Sequence, residues 1–202
     1  MALNLAKGSG LSLRKSNGSP LVRAIVELFW SPNGAKSPYD LDASALLATA
    51  DLTNPNDFGK SVGDFGVCFY GQPETPAIKA APDNRNGVSA DGEPDEVLTI
   101  DLSQVPANAN VIPVFITIHE AAQRGQTFAD VHDPHAILKD ADTGEVLARV
   151  DLTGLTPGST GAIFAVLKRE SGNTWKVENV SMGFPGKDLL AFLALYGVQA
   201  GY

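Results

Sequence analysis

The chain has 202 residues, 44% hydrophobic and 19% charged, a length and composition that bury a core and exclude a disordered or fibrous chain. A formal net charge of −8 and a sequence pI near 4.8 disfavour nucleic acid as a partner, because a negative surface repels phosphate. One cysteine, Cys68, excludes an internal disulfide.

Lys7, Arg14 and Lys15 are followed by no apolar stretch before Leu21, so no signal peptide is expected. No apolar run approaches the roughly 20 residues of a membrane span, so membrane insertion is not expected either. The expected location is the cytoplasm. Twenty glycines and 13 prolines lie between apolar runs, as in a chain with many turns. The expected organisation is a single domain over residues 1–202.

In chain order, Val22 to Trp30 mixes alternation with β-branched residues and reads as a strand. Gly66 to Tyr70 and Val97 to Leu102 are short apolar runs of the same type. Val111 to His119 is the most strand-like stretch, and Pro113, which has no N–H to donate, is expected at its start or on an edge. Glu120 to Arg124 reads as a single helical turn before Gly125. Ala136 to Lys139 and Glu145 to Asp151 flank Asp140–Gly144, a hairpin turn with a late glycine. A second hairpin joins the segments 161–169 and 174–182 through Glu170–Asn173. Near residues 187–197, Leu189, Leu190, Phe192, Leu193 and Tyr196 recur at helical spacing, with Gly197 as the stop. Short strands and polar turns predict a mainly β protein, a two-sheet antiparallel β-sandwich with a short helix near 120–124 and a C-terminal helix near 187–197.

The charge is uneven. Residues 83–101 hold six carboxylates, Asp83, Asp91, Glu93, Asp95, Glu96 and Asp101, against Arg85 alone. Calcium takes six to eight oxygen ligands from carboxylates, amides and backbone carbonyls in a flexible cage. The loop supplies carboxylates and Asn84, with Gly87 and Gly92 to let the backbone fold tightly. The spacing is not that of an EF-hand. Asp40 and Asp42, two residues apart, point to one face of an extended backbone and could reach the same ion. The plainer reading of such a loop is a solvated acidic turn.

Ordered matches carry a resemblance to a known family: Leu5-Ala-Lys-Gly8 with Leu11-Ser-Leu13, Phe29-Trp30, Tyr39-Asp-Leu-Asp-Ala-Ser44, Asp83-Asn-Arg85 with Asp95-Glu96, Ile116-Thr-Ile-His119 with Glu120-Ala121, Asn173-Thr-Trp-Lys176, and Gly183-Phe184. The segment Leu189 to Val198 closes the match. Over essentially its whole length the chain resembles the TerD family, tellurium-resistance and general stress proteins related to cyclic-AMP-binding proteins of slime moulds. The resemblance implies a β-sandwich binding one or two calcium ions, with Asp40, Asp42, Asp83, Asn84, Asp91, Asp95 and Glu96 as candidate ligands. This chain carries Ser31, Pro82 and Asn86 where family members usually have Asp, Gly and Thr, and its acidic loop is about two residues longer.

Other chemistry is thin. His119 is expected to be satisfied by a backbone carbonyl. His132 and His135 could hold a transition metal only with further ligands close by, for which Cys68 is a poor choice, and Asp140, Asp142 and Glu145 read as turn residues. Cys68 reads as a buried small hydrophobe, and Trp30 and Trp175 as core residues. No nucleophile elbow, phosphate loop or thiol pair is present, so no enzyme is expected. One thiol without a cofactor motif cannot reduce tellurite, so any link to tellurium is expected to be indirect. The reading is a calcium-binding stress-response module without catalysis. The alternative is a structural or assembly subunit, of phage or mobile-element type, that uses calcium only for stability. Partner proteins or self-association are open under both.

Overall fold

A computed structural model describes residues 3–31, 38–54, 57, 59–63, 66–89, 92–155 and 158–198. In chain order its strands are β1 (Leu3–Asn4), β2 (Gly10–Ser12), β3 (Arg23–Ser31), β4 (Leu41–Leu46), β5 (Ala48–Thr49), β6 (Lys60–Ser61) and β7 (Val67–Cys68). They continue as β8 (Ile78–Ala80), β9 (Glu96–Asp101), β10 (Val111–Ile118), β11 (His132–Asp140), β12 (Val146–Asp151), β13 (Ser159–Arg169) and β14 (Trp175–Pro185). Helix α1 (Ala121–Arg124) follows β10, and α2 (Leu189–Leu195) follows β14.

The strands form two sheets. One runs β1-β12-β11-β3-β9-β8; the other runs β2-β14-β13-β10-β4-β7, with β5 and β6 paired beside β10. Every pairing is antiparallel except β1 with β12. The mainly β two-sheet architecture expected from the sequence is therefore present, with both helices. The second is shorter than its apolar spacing suggests, because the Asp188 side chain accepts from the Ala191 N–H and caps the helix one residue before Leu189.

Alternation decides which side chains meet between the sheets. On β3, Ala24, Val26, Leu28 and Trp30 enter the shared core, as do Leu98 and Ile100 of β9 and Leu41, Ala43 and Ala45 of β4. The second sheet is buried on its other face as well. There Phe115, Ile163 and Leu46 meet Leu189, Phe192, Leu193 and Tyr196 of the α2 segment. A sheet covered on both faces needs apolar residues at every position, which accounts for the unbroken run of buried residues in β10. Pro113 lies near the start of β10, where pairing on one side passes from β5 at Val111 to β4 at Val114. Among the described residues, no helix is long and apolar enough to cross a membrane.

Gly161 fixes how closely α2 approaches the sheet. A Cβ there would overlap the Phe192 ring and stand 2.9 Å from the Lys187 carbonyl oxygen, while Phe192 stacks on Phe115 at 5.5 Å between centroids. Gly161→Ala is expected to destabilise the protein by about 1–3 kcal/mol through overpacking. Urea unfolding checks this, and an unchanged midpoint would mean that the helix does not dock tightly on β13.

Candidate metal centre

Three strand ends converge at one end of the sandwich. Asp40 immediately precedes β4, and Asp42 is its second residue, paired with Thr117 of β10. The other edge of β4 pairs with β7 only at Ala45 and Leu46, so β7 leaves the Asp42 end of that edge uncovered. The acidic loop leads into β9, where Glu96 pairs with Leu28 of β3, and Asp95 N–H donates to the Leu28 carbonyl at 2.9 Å.

Asp40, Asp42 and Asp83 each bring a carboxylate oxygen within 4.8 Å of the other two. They are the one such group of three or more His, Cys, Asp or Glu residues among the described residues. Asp40 and Asp42 are only 6% and 5% exposed, and Oδ1 of Asp40 is buried without a hydrogen-bond partner. Two charges at this separation repel by about 3 kcal/mol at an effective dielectric near 20, less where the partly exposed Asp83 is involved. The proton affinities reflect the crowding. Burial, then the charges of Asp40 and Asp83, pushes Asp42 up to about 8. Burial and Asp83 raise Asp40. Glu96 is pushed up to about 8, chiefly by burial and, with smaller weight, by the three aspartates, against the lowering effect of the Asn84 N–H that it accepts at 2.9 Å.

The remaining candidates have other duties. Asp95 Oδ2 accepts the Trp30 backbone N–H at 3.0 Å, and its Oδ1 accepts from Ser89 Oγ at 2.8 Å and Asn84 Nδ2 at 3.2 Å. Asn84 Oδ1 accepts the Asn86 N–H, so both Asn84 and Asp95 brace the loop from within. Asp91 lies outside the described residues. Glu96 stands near the three aspartates without joining their group.

A cleft of about 560 Å³ opens over the cluster, walled also by Pro38, Tyr70, Arg85, His119, Glu120 and Arg124. Arg85 pairs with Asp83 at 2.9 Å and Arg124 with Glu120 at 3.0 Å. Among the described residues the His119 ring meets no backbone carbonyl, contrary to the expectation. Its Nδ1 lies 3.8 Å from Asp42 Oδ2, and Tyr70 packs edge-on against it at 5.7 Å. Tyr70, Glu120 and Arg124 were not singled out from sequence; the i,i+4 spacing of Glu120 and Arg124 was the available signal.

The other sequence candidates settle into structural roles. His135 Nδ1 bonds the Asp133 carbonyl oxygen at 2.8 Å and its ring stacks on Phe29. Asp142 is paired with Lys15 and Arg23, and Asp140 closes the hairpin, its backbone carbonyl accepting the Gly144 N–H and its Oδ1 the Asp142 N–H. Cys68 is fully buried, and burial pushes its thiol up to about 11, as suits a packing residue. Trp175 is buried under the Arg169 guanidinium.

The donor set at the cluster is all oxygen and formally anionic, the chemistry of a hard cation such as calcium rather than of zinc or copper. Three carboxylates leave further positions of a six- to eight-oxygen shell to backbone, water or a ligand.

A family model described as TerD domain matches residues 1–196. The chain is 34% identical over 203 residues to the tellurium resistance protein TerD of Alcaligenes sp, covering 99% of this chain and 100% of that one. It is 33% identical over 207 residues to general stress protein 16U of Bacillus subtilis (strain 168), covering all of both chains. The solved structure of a homologue of telluride resistance protein (TerD) from Streptomyces coelicolor A3(2) superposes with a TM-score of 0.68 at 23% identity, over 86% of this chain and 95% of that one. That likeness concerns the fold.

Because Asp42 and Glu96 hold their protons more tightly when folded than the usual carboxylate, metal-free stability is greatest below about pH 4 for these two groups and is lost as pH rises toward 8. Unfolding midpoints of chelated protein are expected to fall between pH 5.5 and 8.5, with a shallower fall in Asp42→Asn. A flat profile in the unsubstituted protein would contradict the burial of these acids.

Proposed function

The chain belongs to the TerD domain family of tellurium resistance and general stress proteins, and on that premise we propose that it is a calcium-binding module of a stress response, acting by binding rather than by catalysis. The observation that carries the reading is Asp40. Its carboxylate is buried, one oxygen has no hydrogen-bond partner, and it converges with Asp42 and Asp83. A buried acceptor without a donor is costly, and a divalent cation would satisfy it while cancelling the mutual repulsion.

In this reading Asp40, Asp42 and Asp83 are the ligands, and Glu96 adds negative potential from behind. Asn84 and Asp95 hold the loop. Calcium draws Asp83, on the loop, against Asp40 and Asp42, on the sheet, and so stiffens the cleft rim. One ion per chain fits the one group of converging carboxylates among the described residues.

Thermal unfolding with about 1 mM calcium, with magnesium, or with excess chelator tests this. Calcium at 100 times its dissociation constant adds about 2.7 kcal/mol, a rise of roughly 5–11 °C at this size. Asp83→Asn, at the exposed side of the cluster, is expected to remove most of that rise while leaving the chelated melting temperature unchanged or higher. A full calcium shift in Asp83→Asn would sink the ligand assignment.

A further inference from the structure

We infer that Trp30 is the positioning residue of the acidic centre, the side chain that sets the Asp83 loop in register with the Asp40–Asp42 strand; its functional meaning rests on the calcium reading above. Trp30 is 5% exposed near the end of β3. Its indole Nε1–H donates to the carbonyl oxygen of Tyr39, the residue before Asp40, at 3.2 Å in a buried bond. Its backbone N–H donates to Asp95 Oδ2. Asp95 in turn accepts from Asn84, the residue after Asp83. Each of the two ligand segments is therefore anchored one residue from its carboxylate: the Asp40 segment by the indole N–H itself, the Asp83 loop through Asp95 by the backbone N–H of the same residue. The indole thus acts on that loop by its contact with Gly87.

The loop also rests on the indole directly. Gly87, at φ +64, lies so close that a Cβ there would stand 2.7 Å from Trp30 Cδ1 and 2.9 Å from Cε2. That approach explains why the loop carries a residue without a side chain at this point. Phenylalanine would keep an aromatic ring but lose the part of the indole that donates to Tyr39 and meets Gly87, and the two segments would lose a fixed separation. Placement errors of this kind weaken a multidentate site even when every ligand is retained.

The test uses the full chain labelled with 5-fluorotryptophan, which has two tryptophans, their signals assigned with Trp30→Phe and Trp175→Phe. On titration with calcium chloride the Trp30 signal is expected to move with the affinity that calorimetry gives, while that of Trp175 stays. Gly87→Ala, a change in the loop rather than in either sheet, is expected to weaken calcium binding about tenfold, the worth of one buried hydrogen bond. Its chelated melting temperature should stay within about 4 °C of the parent. A stationary Trp30 signal with calcium bound, or unchanged affinity in Gly87→Ala, overturns the inference and leaves the calcium reading standing. If the parent protein binds no calcium, that reading falls, and amide exchange in chelator decides the positioning role. Trp30→Phe must then speed exchange at Asn84, Asn86 and Val88 about tenfold with β10 unchanged, and equal rates overturn it.

Discussion

Two buried carboxylates at the start of β4, one of them with an oxygen that no donor meets, constrain everything around them. Asp40 and Asp42 cannot both be charged and unpaired at 6% and 5% exposure without large cost. Three responses are open to such a group: a proton, a cation, or rearrangement. The raised proton affinities of Asp40, Asp42 and Glu96 are the first response; a bound divalent cation is the second. The nearby arginines ease the conflict only in part: Arg85, paired with Asp83, and Arg124, paired with Glu120, lower the proton affinities of Asp40 and Asp42, yet burial and the neighbouring carboxylates keep both raised.

The sandwich makes the constraint durable. Because the second sheet is buried on both faces, β4 is fixed by packing on either side and by its pairing with β10. It cannot rotate Asp42 outward without exposing Leu41, Ala43 and Ala45. The loop that brings Asp83 is more adaptable, held by its own Asn84, Ser89 and Asp95 bonds and by contact with Trp30. A rigid half and a bracing half suit an ion whose coordination is flexible.

Much of this was legible in the sequence, for identifiable reasons. The run from Val111 to His119 announced a strand, though not that both of its faces are covered, and the Asp140–Gly144 and Glu170–Asn173 turns fixed two hairpins. The period of two placed Asp40 and Asp42 together, and the charge of the 83–96 loop marked its partner. What could not be read was commitment. Asp95 and Asp83 are the same residue type in one loop, yet Asp95 spends its oxygens on Trp30, Ser89 and Asn84, whereas Asp83 faces the cluster. Only the tertiary approach of residues 30, 39, 87 and 95 separates them. Strands of two or three residues such as β5, β6 and β8 were equally silent, since their extended form comes from neighbours rather than from any pattern of their own.

The central claim is that the proton and the cation compete for the same buried carboxylates. Calorimetric titration of calcium chloride into metal-free protein at pH 7, repeated in buffers of different ionisation enthalpy, tests it most directly. The account predicts saturable binding near one ion per chain, with a heat that varies between buffers because binding releases protons from Asp42 and Glu96. No saturable heat would contradict the site itself; binding with the same heat in every buffer would mean that calcium sits elsewhere.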